Sequence, residues 1–137
     1  MQTVAVIGSE EFDDDILLQQ VLDNTIGVRY PDVVILGTEG SQGTAGLVEE
    51  YATSNGIPFV EYITDWEHDG RRAQHIRNRK IISDTDECIV FWDDEDQNLR
   101  MFVDLCRRSN VGVRLIPVRK KIKRYNHRTG LESIRMM

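Results

Sequence analysis

The residues best suited to hold a charged ligand are concentrated between positions 71 and 80. Four arginines, a lysine, an asparagine and a histidine lie within these ten residues. Arg71, Arg77 and Asn78 could together hold a phosphate or a carboxylate, because a guanidinium group presents a planar fork of hydrogen-bond donors. A solvated basic helix face, with Trp66 as an ordinary core aromatic, is the alternative interpretation.

A glycine-rich loop offers a second way to bind an anion. Residues 37–44 contain three glycines and three hydroxyl side chains, between a strand-like run and a helical pattern. Glycines let backbone N–H groups approach an anion closely, and the N-terminus of a following helix adds a favourable potential. The loop matches neither the Walker pattern nor the GxGxxG fingerprint. A tight turn with Ser41 or Thr44 as the helix N-cap would also explain it.

The acidic residues suggest further chemistry, but the sequence does not identify which carboxylates would take part. Asp93 ends a strand-like run, where it could accept a hydrogen bond from a ribose hydroxyl. The four acids at 93–96 could bind a metal ion, although such runs at strand ends are usually solvated turns. Asp65 and Asp93 could form a general acid–base pair, but spacing does not single out two carboxylates. Ser9 and Ser41 lack the elbow motif of a nucleophilic serine.

Cysteine and histidine usage points away from metal chemistry. The three histidines have no cysteine close in sequence, so we expect no zinc site. Cys88 and Cys106 lie in apolar contexts, which is typical of reduced core cysteines in an intracellular protein. We therefore expect a cytoplasmic location. No apolar run approaches the ~18 residues of a membrane span, and we expect no membrane partner.

The charge is distributed unevenly along the 137 residues. Residues 1–69 carry 14 acids and one arginine, a net charge of −13, whereas residues 119–137 carry seven bases and one acid, a net charge of +6. The acidic half would repel nucleic acid, which only the basic residues 119–128 could contact. We favour self-association of this tail or its packing against the acidic half, and we expect a homo-oligomer.

Strand-like and helical patterns alternate along the chain. They predict strands at 3–7, 32–36, 58–64, 87–92 and 111–118, and helices at 13–24, 45–55, 71–85 and 98–109. This alternation is typical of an α/β domain with a mainly parallel sheet of about five strands. We expect that domain at residues 1–118 and a basic tail at 119–137. Loops 8–12, 37–44, 65–71 and 92–98 should then lie along one rim, where ligands bind.

Several of these residues occur in an order that resembles the SLOG superfamily, most closely its small stand-alone YspA-like, cpYpsA-related branch. The resemblance covers about residues 3–118 and is carried by Val6-Ile7-Gly8-Ser9, Phe12, Gly40, Gly43, Asp65-Trp66, Gly70-Arg71, Ile76-Arg77-Asn78-Arg79 and Phe91-Trp92-Asp93. It implies a Rossmann-like three-layer sandwich with a site for nucleotides or nucleotide-derived ligands of the ADP-ribose or NAD type. Distant relatives include the Lonely Guy phosphoribohydrolases and the DprA type, which binds single-stranded DNA.

The resemblance and the loop chemistry together assign expected roles. Glycine and hydroxyl residues of the loop would contact phosphate, the two arginines would pair with it, and Asn78 would orient the ligand or the loop. Asp93 would hold a ribose, and either Trp66 or Trp92 would stack on a base. The full expected ligand-binding set is Gly8, Ser9, Gly37, Thr38, Gly40, Ser41, Gly43, Thr44, Asp65, Trp66, Arg71, Arg77, Asn78, Trp92 and Asp93.

The chain departs from the family pattern where phosphate contacts would be expected. Glu10 replaces the usual Arg, the loop from Glu39 has lost one Gly and its Asp, and acids follow Asp93 where a second anion loop belongs. Leu47 occupies the place of the catalytic Glu of the Lonely Guy pattern. We therefore predict nucleotide binding with little catalysis. The added negative charge fits a shifted ligand, a divalent cation that bridges the ligand phosphate, or a decayed site.

Two other functions stay open. A hydrolase of nucleotide N-glycosidic bonds would use one of Asp65, Asp93, Glu49 or Glu50 as its catalytic carboxylate. A nucleic-acid accessory protein would use the basic residues 119–128. We favour neither, and we expect no resident metal ion.

Overall fold

The computed structural model describes residues 1–118 with their side chains, and two later strands as backbone. The strands are β1 (Gln2–Gly8), β2 (Val33–Thr38), β3 (Phe59–Tyr62), β4 (Glu87–Trp92), β5 (Gly112–Pro117), β6 (Lys121–Tyr125) and β7 (Glu132–Met136). The α-helices are α1 (Asp15–Thr25), α2 (Gly43–Ser54), α3 (Trp66–Asp69), α4 (Ala73–Asp84) and α5 (Gln97–Arg108). Single 3₁₀ turns cover Gly27–Arg29 and Gly70–Arg72.

The first five strands form one parallel sheet in the order β3-β2-β1-β4-β5. Helices α1 and α2 pack on one face of this sheet, and α4 and α5 pack on the other. The three-layer α/β sandwich with a five-stranded parallel sheet is therefore confirmed. Strand order reverses direction between β1 and β4, because the chain moves outward from β1 to β3 and then returns to the other side of β1.

The two central strands are buried on both faces, which explains their continuous apolar sequences. Val6 and Phe91 lie in the core beneath α1 and α2, where Phe12 stacks on Phe91 with ring centroids 5.0 Å apart. The alternate residues Ile7 and Val90 lie in the core beneath α4 and α5. Two packed cores hold β1 and β4 in place, so the loops that leave these strands start from fixed positions.

The predicted reduced cysteines belong to the second core. Cys88 of β4 and Cys106 of α5 are both buried and free, and their Sγ atoms lie 3.6 Å apart. Their contact joins the centre of the sheet to the helix that covers it.

The predicted helix 71–85 is too long at its start. The Asp65 carboxylate accepts a hydrogen bond from the N–H of His68 at 3.1 Å and so caps the four-residue helix α3. Gly70 ends that helix with φ +57°, a conformation that favours glycine over residues with a Cβ. The chain then passes through the 3₁₀ turn before α4 begins at Ala73. A four-residue helix has no periodicity from which to predict it.

The predicted basic tail contains two strands. β6 and β7 pair in antiparallel fashion as a second, two-stranded sheet. The proposed contact surface at 119–128 depends on side chains outside the described residues. Within the part of the chain that the structure describes, no helix has the length and apolar character needed to cross a membrane.

Candidate functional site

A cavity of about 820 Å³ opens at the carboxyl edge of the sheet. Its walls come from the loops after β1, β2, β3 and β4, together with Gln74, Arg77 and Asn78 of α4. The four strand-exit loops thus meet at one rim, as the strand–helix alternation predicted. The cavity lies beside the ends of β1 and β4, where the strand order reverses, and α/β sheets bind ligands at such switch points.

Close packing between two loops forms the first wall. Thr44 is buried, and its N–H and hydroxyl both donate to the Ser9 carbonyl, at 3.1 Å and 3.0 Å. A Cβ on Gly8 would overlap the Thr44 side chain, and a Cβ on Gly43, which has φ +60°, would overlap the Glu10 backbone. The absence of a Cβ at these two glycines therefore allows the loops after β1 and β2 to pack closely, and we call this contact the loop joint. This joint positions the neighbouring loop residues that line the cavity.

Helix α2 begins at this wall without a side-chain cap. Its N-cap residue is Gln42, which makes no capping hydrogen bond through its side chain. The interpretation of Ser41 or Thr44 as the N-cap is therefore wrong, since Ser41 precedes the cap and the Thr44 hydroxyl is used on Ser9. A helix start built from Gly, Ser and Thr, with its positive dipole end towards the cavity rim, favours an anion.

Arg77 lies in the cavity wall with only 13% of its side chain exposed. Its Nε and Nη2 donate to Oδ1 of the buried Asn78 at 3.4 Å and 3.1 Å, and its Nη1 lies 3.9 Å from Oε1 of Glu39. Burial lowers the pKa of Arg77, and the charge of Glu39 acts in the opposite direction. The guanidinium is thus oriented by an amide and partly neutralised by one carboxylate.

Glu39 connects the loops after β2 and β3 beside this arginine. Its Oε1 accepts a short hydrogen bond from the Thr64 hydroxyl and a second bond from the Thr64 N–H at 2.9 Å. The Thr64 hydroxyl is the main reason why the pKa of Glu39 lies below its ordinary value, and the Thr64 N–H and Arg77 act in the same direction. Glu39 therefore holds the loop after β2 to the loop after β3.

Carboxylates dominate the second wall, which follows β4. The Asp93 carboxylate accepts from the Glu95 N–H at 3.0 Å, and the Asp96 carboxylate caps α5 by accepting from the Leu99 N–H at 3.2 Å. The acids at 93–96 therefore form an ordered turn. Residues 1–118 contain no group of three or more His, Cys, Asp or Glu side chains arranged to hold a metal ion. Binding of a divalent cation that bridges the ligand phosphate stays a prediction.

The cavity lining is strongly acidic. Six carboxylate residues line it, and among the described residues Arg77 is the only lysine or arginine that does so. The carboxylates are Glu10, Glu11, Glu39, Asp93, Glu95 and Asp96. Three of these acids, Glu10, Glu11 and Glu39, belong to the loops after β1 and β2, so an anionic ligand depends on Arg77 and the start of α2 to offset the acidic lining.

The structure divides the predicted site residues into two groups. The cavity is lined by Gly8, Ser9, Thr38, Gly40, Ser41, Trp66, Arg77, Asn78 and Asp93. It is not lined by Gly37, Gly43, Thr44, Asp65, Arg71, Trp92, Glu49 or Glu50. Trp66 stands at the rim with 58% of its surface exposed. The binding roles of the first group stay predictions.

Residues in the second group have other positions and contacts. A Cβ on Gly37 would come within 2.7 Å of the Phe59 ring, so this glycine allows close packing of β2 and β3. Trp92 packs against the core beneath α4 and α5. Arg71 is exposed in the 3₁₀ turn before α4. Glu49 and Glu50 are exposed on α2, whereas Leu47 packs against the core on its inner side.

The expected site set left out several polar residues that line the cavity, among them Glu39 and Gln74. Gln74 lies three residues before Arg77 on α4, so helical spacing could have placed both side chains on one face. Glu39 follows β2 directly, but its contact with Arg77 joins residues far apart in sequence.

Comparison with known proteins identifies a family for the first half of the chain. Residues 2–68 match the family model described as the YspA, cpYpsA-related SLOG family. The match extends from β1 into α3 and so includes the first wall of the cavity, whereas Arg77 and the acidic second wall lie beyond it. A search of curated proteins found no match.

Proposed function

We propose, from the membership of residues 2–68 in the YspA, cpYpsA-related SLOG family, that this chain binds a nucleotide or a nucleotide-derived ligand of the ADP-ribose or NAD type. One observation carries the proposal: Arg77 and the loop before α2 line the same cavity at the switch point of the sheet. The cavity volume of about 820 Å³ falls within the ~300–1,000 Å³ range of small-molecule sites.

The two walls suggest how such a ligand would lie. Phosphate would lie between Arg77 and the first wall, where the arginine and the backbone around Gly40 and Ser41 offer donors. A ribose would lie towards Asp93, because carboxylates accept hydrogen bonds from hydroxyl groups. The exposed ring of Trp66 at the rim could stack on a base. A phosphate about 4 Å from one carboxylate would be destabilised by about 1–4 kcal/mol, so the phosphate would need Arg77 and the start of α2 to offset the acids of the lining.

Thermal-shift measurements with AMP, ADP-ribose, NAD and cyclic ADP-ribose test the proposal. The screen is run with and without Mg²⁺, since a bridging cation would offset the acidic lining. We expect at least one of these ligands to raise the melting temperature, and Arg77→Ala to weaken its binding by about ten- to a hundredfold. Arg79→Ala, which removes an exposed arginine of α4 outside the cavity, is the control and should bind normally.

Two results would overturn the proposal. One is the absence of any shift with all four ligands under both conditions. The other is equal loss of binding in the Arg77 and Arg79 variants, which would mean that general positive charge, rather than the cavity, attracts the ligand.

A hydrolase is the second candidate function, because Asp93 lines the cavity. The other carboxylates considered, Asp65, Glu49 and Glu50, do not line it, and Asp65 caps α3. With Leu47 packed against the core, we propose that AMP is not hydrolysed above background. Release of adenine that is lost in Asp93→Asn would favour the enzyme instead.

A further inference from the structure

A second cavity lies at the amino edge of the sheet, opposite the first, and has a volume of about 440 Å³. Its walls come from the last turns of α1 and α2 and from the turns that lead into β2 and β3. The volume falls within the ~300–1,000 Å³ range of small-molecule sites. The lining is partly apolar, but it also contains a carboxylate, an amide and two tyrosines, so the cavity can recognise a polar group.

A buried tyrosine orients the carboxylate of this second cavity. The Tyr51 hydroxyl donates to Oδ1 of Asp23 at 2.7 Å. Burial raises the pKa of Tyr51, and the bond to Asp23 acts in the same direction, so the hydroxyl keeps its proton and stays a donor. Of the described residues that line the cavity, Asp23 is the only charged one. Arg29 in the neighbouring 3₁₀ turn is directed elsewhere, because its Nη1 lies 2.7 Å from Oε1 of Glu87.

The backbone adds negative potential at the same place. Helices α1 and α2 both end at this cavity, and a helix C-terminus carries the negative end of its dipole. Neither helix has a basic residue in its last turn to offset that potential. Asn55, which ends α2, donates its Nδ2 to the Tyr51 carbonyl at 2.8 Å, and this leaves its amide oxygen as an acceptor. The second cavity therefore favours a cation.

The rest of the lining indicates the class of cation. Tyr30 is 55% exposed and Val28 is 74% exposed, so a planar and weakly hydrated cation can lie against an aromatic ring and an apolar side chain. A guanidinium group has several N–H donors and no acceptor, which matches a lining whose acceptors are a carboxylate, an amide oxygen and tyrosine hydroxyls. An ammonium group is more strongly hydrated and does not stack.

We propose that the second cavity binds a guanidinium group on an alkyl stem, with the Asp23 carboxylate as its counter-ion and the Tyr30 ring as its stacking partner. A free alkylguanidine and an arginine side chain of a peptide both supply this group. The site is separate from the nucleotide-type site at the other edge of the sheet and does not depend on it.

NMR titration of ¹⁵N-labelled protein measures the affinity and the location together. The probes are propylguanidinium and Nα-acetyl-argininamide, and their neutral isosteres are propylurea and Nα-acetyl-citrullinamide. We expect a dissociation constant of about 1 mM or lower for a guanidinium probe, and binding of its isostere that is weaker by about tenfold or more. The shifts should centre on the backbone amides of Gly27 and Ile57 and on the side-chain amide of Asn55.

The two guanidinium probes distinguish the sources of the group. Similar affinities support the proposal with a free alkylguanidine as a sufficient ligand. A preference of about fivefold or more for Nα-acetyl-argininamide supports it with an arginine of a peptide as the ligand.

Three variants locate the interaction. Asp23→Asn removes the charge but can still accept from Tyr51, and it should weaken binding by about tenfold or more. Val28→Lys places a competing cation at an exposed position of the lining and should weaken binding by a similar factor. Asp15→Asn removes the same charge from the first turn of α1, outside the cavity, and should bind as the wild type does. Val28→Lys decides the matter if Asp23→Asn does not fold.

Three results would overturn the guanidinium site. They are the absence of binding by both guanidinium probes, equal binding of the neutral isosteres, and shifts that centre on Gly40 and Gln74 of the acidic first cavity and persist in Asp23→Asn. None of these results bears on nucleotide binding, which the thermal-shift ligands test independently.

Discussion

Two helix starts face the same cavity, and they are built in opposite ways. Helix α2 follows a loop of Gly, Ser and Thr residues, and its N-cap residue Gln42 makes no side-chain capping bond. Helix α5 follows a run of acids, and Asp96 caps it through the Leu99 N–H. Both helices present a positive dipole end, but a carboxylate already occupies the start of α5. The α2 start is therefore the better place for an anion.

This difference shows that strand-exit loops at one sheet edge are not equivalent sites. The α2 side lies inside the segment that matches the SLOG family model, and the α5 side lies outside it. We infer that the first wall provides the anion contacts, whereas the second wall provides an ordered, acidic boundary. The following predictions test that division, in order of decreasing effect.

The largest effect should follow substitution at the contact between the loops after β1 and β2, which forms the first wall. Gly43→Ala adds a Cβ at φ +60° that overlaps the Glu10 backbone, so we expect unfolding free energy to fall by about 2–5 kcal/mol, from left-handed strain plus the clash. Gly70→Ala is the matched control, because Gly70 has φ +57° with no atom within 4 Å of the added Cβ. It should cost only about 1–2 kcal/mol in urea denaturation. Equal losses of unfolding free energy in the two variants would mean that the two loops move apart to accommodate the added Cβ.

Cap removal should distinguish the two helix starts directly. Asp96→Ala removes the carboxylate that caps α5 and should cost about 1 kcal/mol of stability. Gln42→Ala, at the corresponding position of α2, removes no capping bond and should change stability by less than about 0.5 kcal/mol. Chemical denaturation of both variants provides the measurement. A larger loss for Gln42→Ala would contradict the description of α2 as uncapped.

Charge neutralisation on the cavity rim should strengthen anion binding slightly. Glu10 lines the cavity and is exposed, so Glu10→Gln should improve nucleotide affinity by about two- to fivefold at low salt. The gain should disappear at high ionic strength, because salt screens exposed charges. Calorimetric titration at two salt concentrations measures it. Weaker binding in this variant would mean that Glu10 contacts the ligand favourably.

The smallest effect concerns acid stability. Because hydrogen bonds from Thr64 lower the pKa of folded Glu39 below 4.5, its ionised form stabilises the fold above that pH. This contribution is lost as the pH falls from about 4.5 through the folded pKa. The stability advantage of wild type over Glu39→Gln should therefore shrink over that range and stay constant from pH 6 to 8. An advantage that grows on acidification would contradict the Thr64 contacts.

The sequence predicted the fold better than the site, for a physical reason. Buried strands such as β1 and β4 need apolar residues on both faces, so their runs are visible without tertiary information. Turn residues such as Gly70 also act locally. That Arg77 lines the cavity and Arg71 does not depends instead on how the 3₁₀ turn orients the chain before α4. The Glu39–Arg77 pair joins β2 to α4 across the sheet edge, and no local pattern encodes it.

A crystal structure of the complex with ADP-ribose tests the division between the two walls most directly. The account predicts that at least one phosphate accepts hydrogen bonds from Arg77 and from backbone N–H groups at residues 40–43, with no phosphate within about 4 Å of Asp93 or Asp96. Phosphates that lie against the start of α5, or against Arg71 outside the cavity, would contradict it.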